Sequence, residues 1–327
     1  MMKTEELKLV KEWDKTFVKS DKVDHCKVTF VNHFGITLAA DMYVPKNEEG
    51  KLPAIAVSGP FGACKEQSSG LYAQEMAARG ILAIAFDPSY MGESGGEPRG
   101  INSPELNTED FQAAVEFLTI QDNVDPEKVG IIGICGWGGF ALNTAAIDTR
   151  IKATAIVTMY DLSRVHAKDY FDSNDTEEAR YQKRKALSDQ RTADARNGEY
   201  ARTEGFPETV TDDMPQFLKD YISFYNKGGR AYHPRSIGSN GGWAAQTMTS
   251  LLNTKLFAYA EEIRTPILMI HGAEAHSLYF AKTAFERLTG DNKELMIIPG
   301  ARHCDLYYNY DYIPFDKIGK FFEDNLH

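Results

Sequence analysis

Short apolar segments alternate with helix-compatible segments along most of this chain. Their apolar residues stand at consecutive positions, which is typical of parallel strands buried on both faces of a sheet. The pattern predicts strands at 53–59, 81–87, 128–134, 151–158, 266–272 and 294–300, and helices near 66–79, 104–121, 137–147 and 313–326. Two earlier strands, 25–31 and 36–44, are predicted to form an antiparallel hairpin. We therefore expect an α/β protein with a mostly parallel central sheet and helices on both faces.

The alternation stops between Asp161 and about Ile263. This stretch is charged, rich in tyrosine and helical in tendency. We expect 161–263 to form a helical cap inserted into a core made of 1–160 and 264–327. Two roles are open for its tyrosines, since they either line a pocket or pack against the sheet.

Composition and charge exclude several classes of partner. Lys and Arg number 36 against 47 Asp and Glu, a formal net charge of −11, which argues against nucleic acid or an anionic membrane as the main partner. Residues 1–7 lack the apolar core of a signal peptide and no stretch has the length of a membrane span, so a cytoplasmic location is expected. The four cysteines are scattered without a CxxC pair. No metal and no cofactor is implied.

The most informative motif is the run from Val129 to Gly139, VGIIGICGWGG. An apolar strand ends there in a tight turn and passes directly into a helix. Such a turn strains its central residue, here Cys135, and exposes the side chain above the sheet. The helix N-terminus is expected to lower the pKa of the thiol and to bind an oxyanion. Cys135 is therefore a predicted nucleophile, and the alternative is an inert cysteine buried in a glycine-rich turn.

A nucleophilic thiol needs oxyanion donors and a base. The N–H of Gly136 supplies one donor, and the N–H of Phe61 or Gly62 supplies the other, because Pro60 has none. His303 follows the last predicted strand, at the edge of the sheet where Cys135 also lies. We expect His303 to accept the thiol proton.

The acid that orients the histidine has two candidates. Glu274 follows the predicted strand 266–272 and is favoured, whereas Asp161 follows the strand 151–158 and is the rival.

These residues resemble the α/β-hydrolase fold, in which nucleophile, acid and histidine follow one another in the order Cys135, Glu274, His303. The cysteine nucleophile resembles that of dienelactone-hydrolase-like proteins. The segment 86–96, FDPSYMGESGG, is similar to one in Xaa-Pro dipeptidyl-peptidase-like members. The chain also resembles a bacterial and fungal branch of polyketide thiohydrolase/transferase-like proteins, in the segments 65–67, 233–236, 275–277 and 303–307.

Two positions depart from that family pattern. Trp137 stands where the elbow usually has a second small residue, and Glu274 lies one residue before the usual acid position.

The resemblance implies a hydrolase that cleaves an ester, lactone or thioester of a small-molecule acyl substrate through an acyl-enzyme on Cys135. The first alternative is a non-hydrolytic member, either an acyl transferase or a ligand-binding protein. The second is an association module in which 161–263 docks a partner. Oligomeric state is open, with a homodimer among the alternatives.

Overall fold

An eight-stranded sheet forms the centre of the protein in a computed structural model that describes residues 5–46, 48 and 50–326. The strands are β1 (Val23–Val31), β2 (Thr37–Pro45), β3 (Leu52–Ser58), β4 (Leu82–Phe86), β5 (Val124–Ile134), β6 (Ile151–Val157), β7 (Ile267–Gly272) and β8 (Lys293–Ile298). Their order across the sheet is β1-β2-β4-β3-β5-β6-β7-β8. The pairs β1–β2 and β2–β4 are antiparallel, and the pairs from β4 to β8 are parallel. The predicted hairpin and mostly parallel sheet are confirmed.

Helices cover both faces of this sheet. They are α1 (Ser68–Ala77), α2 (Pro104–Thr119), α3 (Gly136–Ile147), α4 (Leu162–Lys168), α5 (Glu177–Asn197), α6 (Gln216–Tyr225), α7 (Ile237–Asn240), α8 (Thr247–Leu252), α9 (Leu278–Arg287), α10 (Asp305–Tyr308) and α11 (Phe315–Asn325). Gly130 and Gly133 of β5 face opposite sides, because side-chain direction alternates along a strand. Phe322 of α11 lies against Gly130, and Ala141 of α3 lies against Gly133. None of the described helices is both long and apolar enough to span a membrane.

The region between β6 and β7 is helical, as expected. It contains α4 to α8, and none of its described residues belongs to a strand. Asp161 begins the region by accepting a hydrogen bond from the backbone N–H of Arg164, which caps α4. The division into a core of 1–160 and 264–327 and a cap of 161–263 stays a prediction.

A buried network of charged side chains lies beside the loop that follows β3. Lys65 Nζ, fully buried, lies 2.8 Å from Glu66, 2.7 Å from Asp87 and 2.7 Å from Glu93. Although burial opposes it, the surrounding carboxylates raise the pKa of Lys65 well above its ordinary value. Further cations paired with these or neighbouring acids are Lys15, Lys27 and Arg235. The network joins the hairpin, the loop after β3 and the helical insertion, because its members come from all three.

Candidate active site

Cys135 occupies a strained turn between β5 and α3. Its φ of 59° and ψ of −125° lie in a region that residues other than glycine rarely adopt. The turn is held on both sides, since Cys135 N–H donates to the Val157 carbonyl and the Cys135 carbonyl accepts from Tyr160 N–H, each at 2.9 Å. The side chain lies at the wall of a pocket with only 6% of the residue exposed. The predicted strand, turn and helix are therefore present, with Cys135 at the centre of the turn.

Trp137 is accommodated without relaxing this turn. Its ring packs edge-on against Phe86, Phe111 and Phe140 in the core. The helix begins at Gly136, and Gly138 comes close enough to Met159 that a Cβ there would lie 2.7 Å from it. Close approach of helix and sheet thus depends on Gly138, one position after the small residue of the family pattern.

Two backbone N–H groups are directed at the thiol. The N–H groups of Phe61 and Gly136 stabilise the thiolate form of Cys135 by hydrogen bonding. Of the two sequence candidates for the loop donor, Phe61 is the one whose N–H lowers the pKa of Cys135. Gly62 lines the same pocket, and its carbonyl accepts hydrogen bonds from Gly238 N–H at 2.7 Å and Ser236 Oγ at 2.8 Å.

A tyrosine hydroxyl lies between the histidine and the thiol. His303 Nε2 is 2.9 Å from Tyr307 Oη. Hydrogen bonding by Tyr307 lowers the pKa of Cys135, although burial outweighs this effect. His303 and Tyr307 are four residues apart, on the loop after β8 and on α10. Tyr307 thus lies between His303 and Cys135, and the role of His303 as base stays a prediction. Sequence reasoning missed this role, although 303–307 was among the family-like segments.

Hydroxyl groups, not a carboxylate, contact the other nitrogen of His303. Nδ1 is 2.6 Å from Ser277 Oγ and 2.9 Å from Thr158 Oγ1. Thr158 follows β6 and Ser277 follows β7, the same two strand ends that supplied the acid candidates. A search of these loops for hydroxyls as well as carboxylates would have found both residues.

Neither predicted acid reaches His303. Glu274 is exposed, because the turn after β7 directs its side chain away from the site. Asp161 is partly buried, but its Oδ1 accepts hydrogen bonds from Ser163 Oγ at 2.6 Å and Arg164 N–H at 2.9 Å. In the described part of the chain neither carboxylate is hydrogen-bonded to the histidine, so the expectation of Glu274, or else Asp161, in that position is corrected to Ser277 and Thr158.

The pair of Cys135 and His303 is electrically neutral near pH 7. Burial raises the pKa of Cys135 above its ordinary value of 9.0, while hydrogen bonds from Tyr307, Phe61 and Gly136 oppose the rise. Burial also lowers the pKa of His303 well below its ordinary value of 6.5, and His276 and His271 add to the effect. The expected low pKa of the thiol is therefore wrong, because desolvation outweighs the helix N-terminus. The resting pair is thiol and imidazole.

The pocket above Cys135 is mainly aromatic and has a volume of about 590 Å³. Cys135, Phe61 and Tyr307 form its floor, and the insertion supplies Tyr221 and Trp243. Other aromatic residues in its lining are Tyr160, Tyr170, Phe206, Phe217 and Tyr225. Of the tyrosines in the insertion, Tyr170, Tyr221 and Tyr225 thus line the pocket, whereas Tyr181 and Tyr200 are exposed.

Polar groups interrupt this apolar lining at Asp169, at Glu204 and at a cluster of hydroxyl groups around Tyr160. Tyr160 Oη is 3.0 Å from Tyr221 Oη and 3.2 Å from Tyr170 Oη, and it contacts His276 Nε2. Burial lowers the pKa of His276 to about 3, so this imidazole is neutral at physiological pH. The cluster around Tyr160 consequently offers hydroxyl groups to the pocket and carries no formal charge itself.

Within the residues that the structure describes, two groups of side chains have metal-ligand spacing. They are Cys64, Glu66 and His233, and Glu66, Asp87 and Glu93. Glu66 belongs to both and already pairs with Lys65 at 2.8 Å and Arg235 at 2.8 Å. The positive charges of Lys65 and Arg235 already balance the carboxylate of Glu66 and would repel a metal cation. Neither group therefore suits a metal ion.

The family model of the X-Pro dipeptidyl-peptidase (S15 family) matches residues 35–305. The chain belongs to this family. The usual nucleophile of S15 members is serine, whereas the residue at the strained turn here is Cys135. Membership supports a hydrolase-type α/β fold, and the chemistry must be argued from the site.

Similar proteins agree with this fold. PA2218, an uncharacterised protein of Pseudomonas aeruginosa, is 52% identical over 323 residues, 98% of this chain and 86% of that protein. Its crystal structure has a TM-score of 0.95 with 51% identity and covers 99% of this chain and 100% of that chain. The α/β hydrolase GrgF from Penicillium sp. sh18 has a TM-score of 0.75 with 19% identity, and the match covers 93% of this chain and 99% of that chain. The predicted α/β-hydrolase fold is confirmed.

Two fungal relatives match part of the chain. The thiohydrolase aneE of Aspergillus aculeatus is 32% identical over 133 residues, 41% of each protein. The acyltransferase drtE of Aspergillus calidoustus is 28% identical over 154 residues, 46% of this chain and 49% of that protein.

Proposed function

We propose that this protein hydrolyses activated acyl compounds, above all thioesters and reactive esters or lactones, with Cys135 as nucleophile. The observation that carries the proposal is the placement of Cys135 in the strained turn, with two backbone N–H groups and the Tyr307 hydroxyl at its sulfur. A cysteine that only packs in the core needs none of these groups. The pocket of about 590 Å³ above it is large enough for a small acyl group.

The proton of the thiol is transferred through Tyr307. Cys135 gives its proton to Tyr307 Oη while Tyr307 gives its own to His303 Nε2, so the tyrosine is neutral before and after the step. The products are a thiolate and an imidazolium. Ser277 Oγ and Thr158 Oγ1 accept hydrogen bonds from the protonated imidazole at Nδ1. Neutral hydroxyls stabilise the imidazolium less than a carboxylate does, which agrees with a resting thiol.

The thiolate then attacks the acyl carbon. A tetrahedral oxyanion forms, and the N–H groups of Phe61 and Gly136 stabilise it. Collapse of this intermediate breaks the bond to the leaving group, which takes a proton from the imidazolium through Tyr307. Water then attacks the thioester of Cys135, with His303 as base, and releases the carboxylic acid.

Thioesters fit this site better than amides. An amine must be protonated before it leaves a thiol adduct. An imidazolium that is hydrogen-bonded only to hydroxyl groups is less firmly positioned to deliver that proton. A thiolate leaves readily, so hydrolysis of a thioester needs less acid assistance. The name of the thiohydrolase aneE describes such a reaction for a partial relative.

Acyl transfer is the second candidate. Cys135 is only 6% exposed, and the pocket beside it is aromatic, so an acyl-enzyme there is partly shielded from water. An alcohol or amine bound in that pocket would accept the acyl group before water did.

A panel of acyl compounds tests both candidates. We expect the N-acetylcysteamine thioester of hexanoic acid to be cleaved, and the p-nitroanilide of the same acid to resist. Cys135→Ala is expected to lower kcat/KM by about a thousandfold or more. Cys304→Ala, which removes another buried thiol, is the matched control and should retain activity. Absence of cleavage of every activated substrate, or full activity in Cys135→Ala, contradicts the proposal. Ester formation in place of free acid when an alcohol is added identifies a transferase.

A further inference from the structure

A second pocket, of about 560 Å³, lies beside the aromatic one. The two pockets share Gly205, Ile237, Gly241 and Gly242 in their linings. The backbones of Gly205 and Gly241 touch, since a Cβ on Gly205 would lie 2.7 Å from Gly241 Cα. The wall between the pockets is therefore formed largely by backbone without side chains.

The second pocket is cationic in a protein that is acidic as a whole. Its lining contains Arg99, Arg202 and Arg235 and, among the described residues, no aspartate or glutamate. The chain carries a formal charge of −11, so three arginines without an acid depart from its general composition. Such a pocket attracts anions.

Two of these arginines form no ion pair with a carboxylate among the described residues. Arg235 pairs with Asp14 at 2.5 Å and with Glu66 at 2.8 Å, so its charge is balanced. No ion pair within 4.0 Å is found for Arg99 or Arg202 in the part of the chain that the structure describes. Among the described residues, the charge of the pocket without a paired carboxylate lies on these two guanidinium groups, and that of Arg99 is partly offset by nearby carboxylates such as Glu97.

Backbone carbonyls hold both groups in place. Arg99 donates through Nη1 to Ser94 at 2.6 Å and through Nη2 to Gly92 at 2.8 Å. Arg202 Nη1 donates to the carbonyl oxygens of Arg99 and Gly242. Carbonyls orient a guanidinium without neutralising it. Each guanidinium has five N–H donors, so Nη2 and Nε of Arg202 remain available to a ligand.

We propose that this second pocket binds an anionic group, a carboxylate or a phosphate, of the same acyl substrate whose apolar part occupies the aromatic pocket. Arg202 and Arg99 supply the charge, and a guanidinium binds planar carboxylate or phosphate oxygens in pairs. This inference rests on the proposed function, because it assigns the substrate class of that site. The anion lies either at the far end of the acyl chain or on the leaving thiol.

Three matched thioesters distinguish these sources. The first is the neutral hexanoyl thioester of N-acetylcysteamine, the second is the adipoyl thioester with a carboxylate on the acyl end, and the third is the hexanoyl thioester of phosphopantetheine. Arg202 is exposed, so its replacement is not expected to prevent folding. In Arg202→Gln, KM for one anionic thioester relative to the neutral one is expected to rise about tenfold or more, because a charge-assisted hydrogen bond is lost.

The controls separate charge from other effects. Arg202→Glu should raise the same KM ratio further. Arg196→Gln, which removes an exposed arginine outside this pocket, should leave the ratio at the wild-type value. A ratio that does not change in Arg202→Gln or in Arg202→Glu overturns the inference. A rise for the adipoyl compound assigns the anion to the acyl end, and a rise for phosphopantetheine assigns it to the thiol end.

Failure of the proposed function gives a different result. In that case the wild-type protein cleaves none of the three thioesters. Calorimetric titration with adipate and with inorganic phosphate then tests the pocket alone. Binding of either anion to the wild type that is lost in Arg202→Glu supports the anion site, and absence of binding overturns it.

Discussion

In the proposed mechanism Tyr307 is the residue that decides how the site works. Its hydroxyl lies 2.9 Å from His303 Nε2 and lowers the pKa of Cys135 by hydrogen bonding, so in that mechanism it both completes the proton path and supports the thiolate. Burial raises the pKa of Tyr307 well above its ordinary value, which keeps the phenol protonated and able to donate. The tyrosine therefore acts as a neutral relay.

Removal of this hydroxyl should separate the thiol from its base. We expect Tyr307→Phe to lower kcat/KM for a thioester by about a hundredfold, because positioned proton transfer contributes at least that much. Tyr308→Phe removes a neighbouring hydroxyl outside the path and serves as the control. Steady-state kinetics of both variants measure the effect. Activity of Tyr307→Phe equal to the control would show that His303 reaches the thiol directly.

The thiol should titrate at high pH. The pKa of Cys135 is raised above its ordinary value of 9.0 by burial, so the thiolate is the minor form at pH 7. Below its pKa the thiolate fraction rises about tenfold for each pH unit, and alkylation by iodoacetamide should rise with it between pH 7 and 9. Mass spectrometry of the peptide that carries Cys135 separates it from the exposed Cys26. A rate that is already constant near pH 7 would show a low-pKa thiolate instead.

Among the elements, the contact between β5 and α3 positions the nucleophile. The helix lies so close to the strand that a Cβ on Gly133 would stand 2.6 Å from the Cβ of Ala141 and would meet the Trp137 carbonyl. The strained dihedrals of Cys135 persist because this contact holds the strand end and the helix start together.

Gly133→Ala should force these elements apart. We expect the free energy of unfolding to fall by about 2–3 kcal/mol, since backbone atoms must shift to admit the methyl group. Gly198→Ala provides the comparison, because Gly198 has a φ of 71° but no atom within 4 Å of an added Cβ. Its cost is limited to backbone strain of about 1 kcal/mol. Equal losses in denaturant titrations of the two variants would mean that the close approach does not matter.

The strands could be predicted because buried parallel strands are continuous apolar runs, as in 128–134 and 151–158. The positions of Cys135 and His303 at one edge of the sheet could be predicted because the ends of such strands meet there, and their catalytic roles stay predictions. The sequence did not indicate in the same way that Ser277, and not Glu274, contacts His303. Both lie in the loop after β7, and the path of that loop, which exposes Glu274 and buries Ser277, depends on tertiary packing.

The position of Tyr307 could not be predicted from the sequence for a related reason. A residue four positions after His303 returns to the histidine only if a helical turn forms there, and α10 is four residues long. The raised pKa of Cys135 also depends on burial under the insertion. The position of Cys135 at a helix N-terminus does not reveal this burial.

For the molecule as a whole, the buried ionic network connects the catalytic loop to the rest of the fold. Lys65 lies in the loop that also carries Phe61, and its ammonium group neutralises Glu66, Asp87 and Glu93. Arg235 extends the network into the insertion by pairing with Glu66. Packing of the cap and placement of the oxyanion donor therefore depend on one set of charges.

Lys65→Met should leave three buried carboxylates without their common cation. We expect the free energy of unfolding to fall by about 3–5 kcal/mol, because breaking a buried pair leaves uncompensated charge. Lys317→Met, which removes an exposed pair with Glu294 at 2.6 Å, should cost less than about 1 kcal/mol. Denaturation midpoints of the two variants compare the losses. A loss in Lys65→Met as small as in the control would show that water already solvates the network.

The most direct measurement is the intact mass of the protein after brief incubation with hexanoyl N-acetylcysteamine thioester. We predict a mass increase equal to one hexanoyl group, located on Cys135 by peptide mapping, absent in Cys135→Ala and formed more slowly in Tyr307→Phe. Turnover of the thioester by Cys135→Ala at the wild-type rate, with no acyl group on Cys135 in the wild type, would contradict the account.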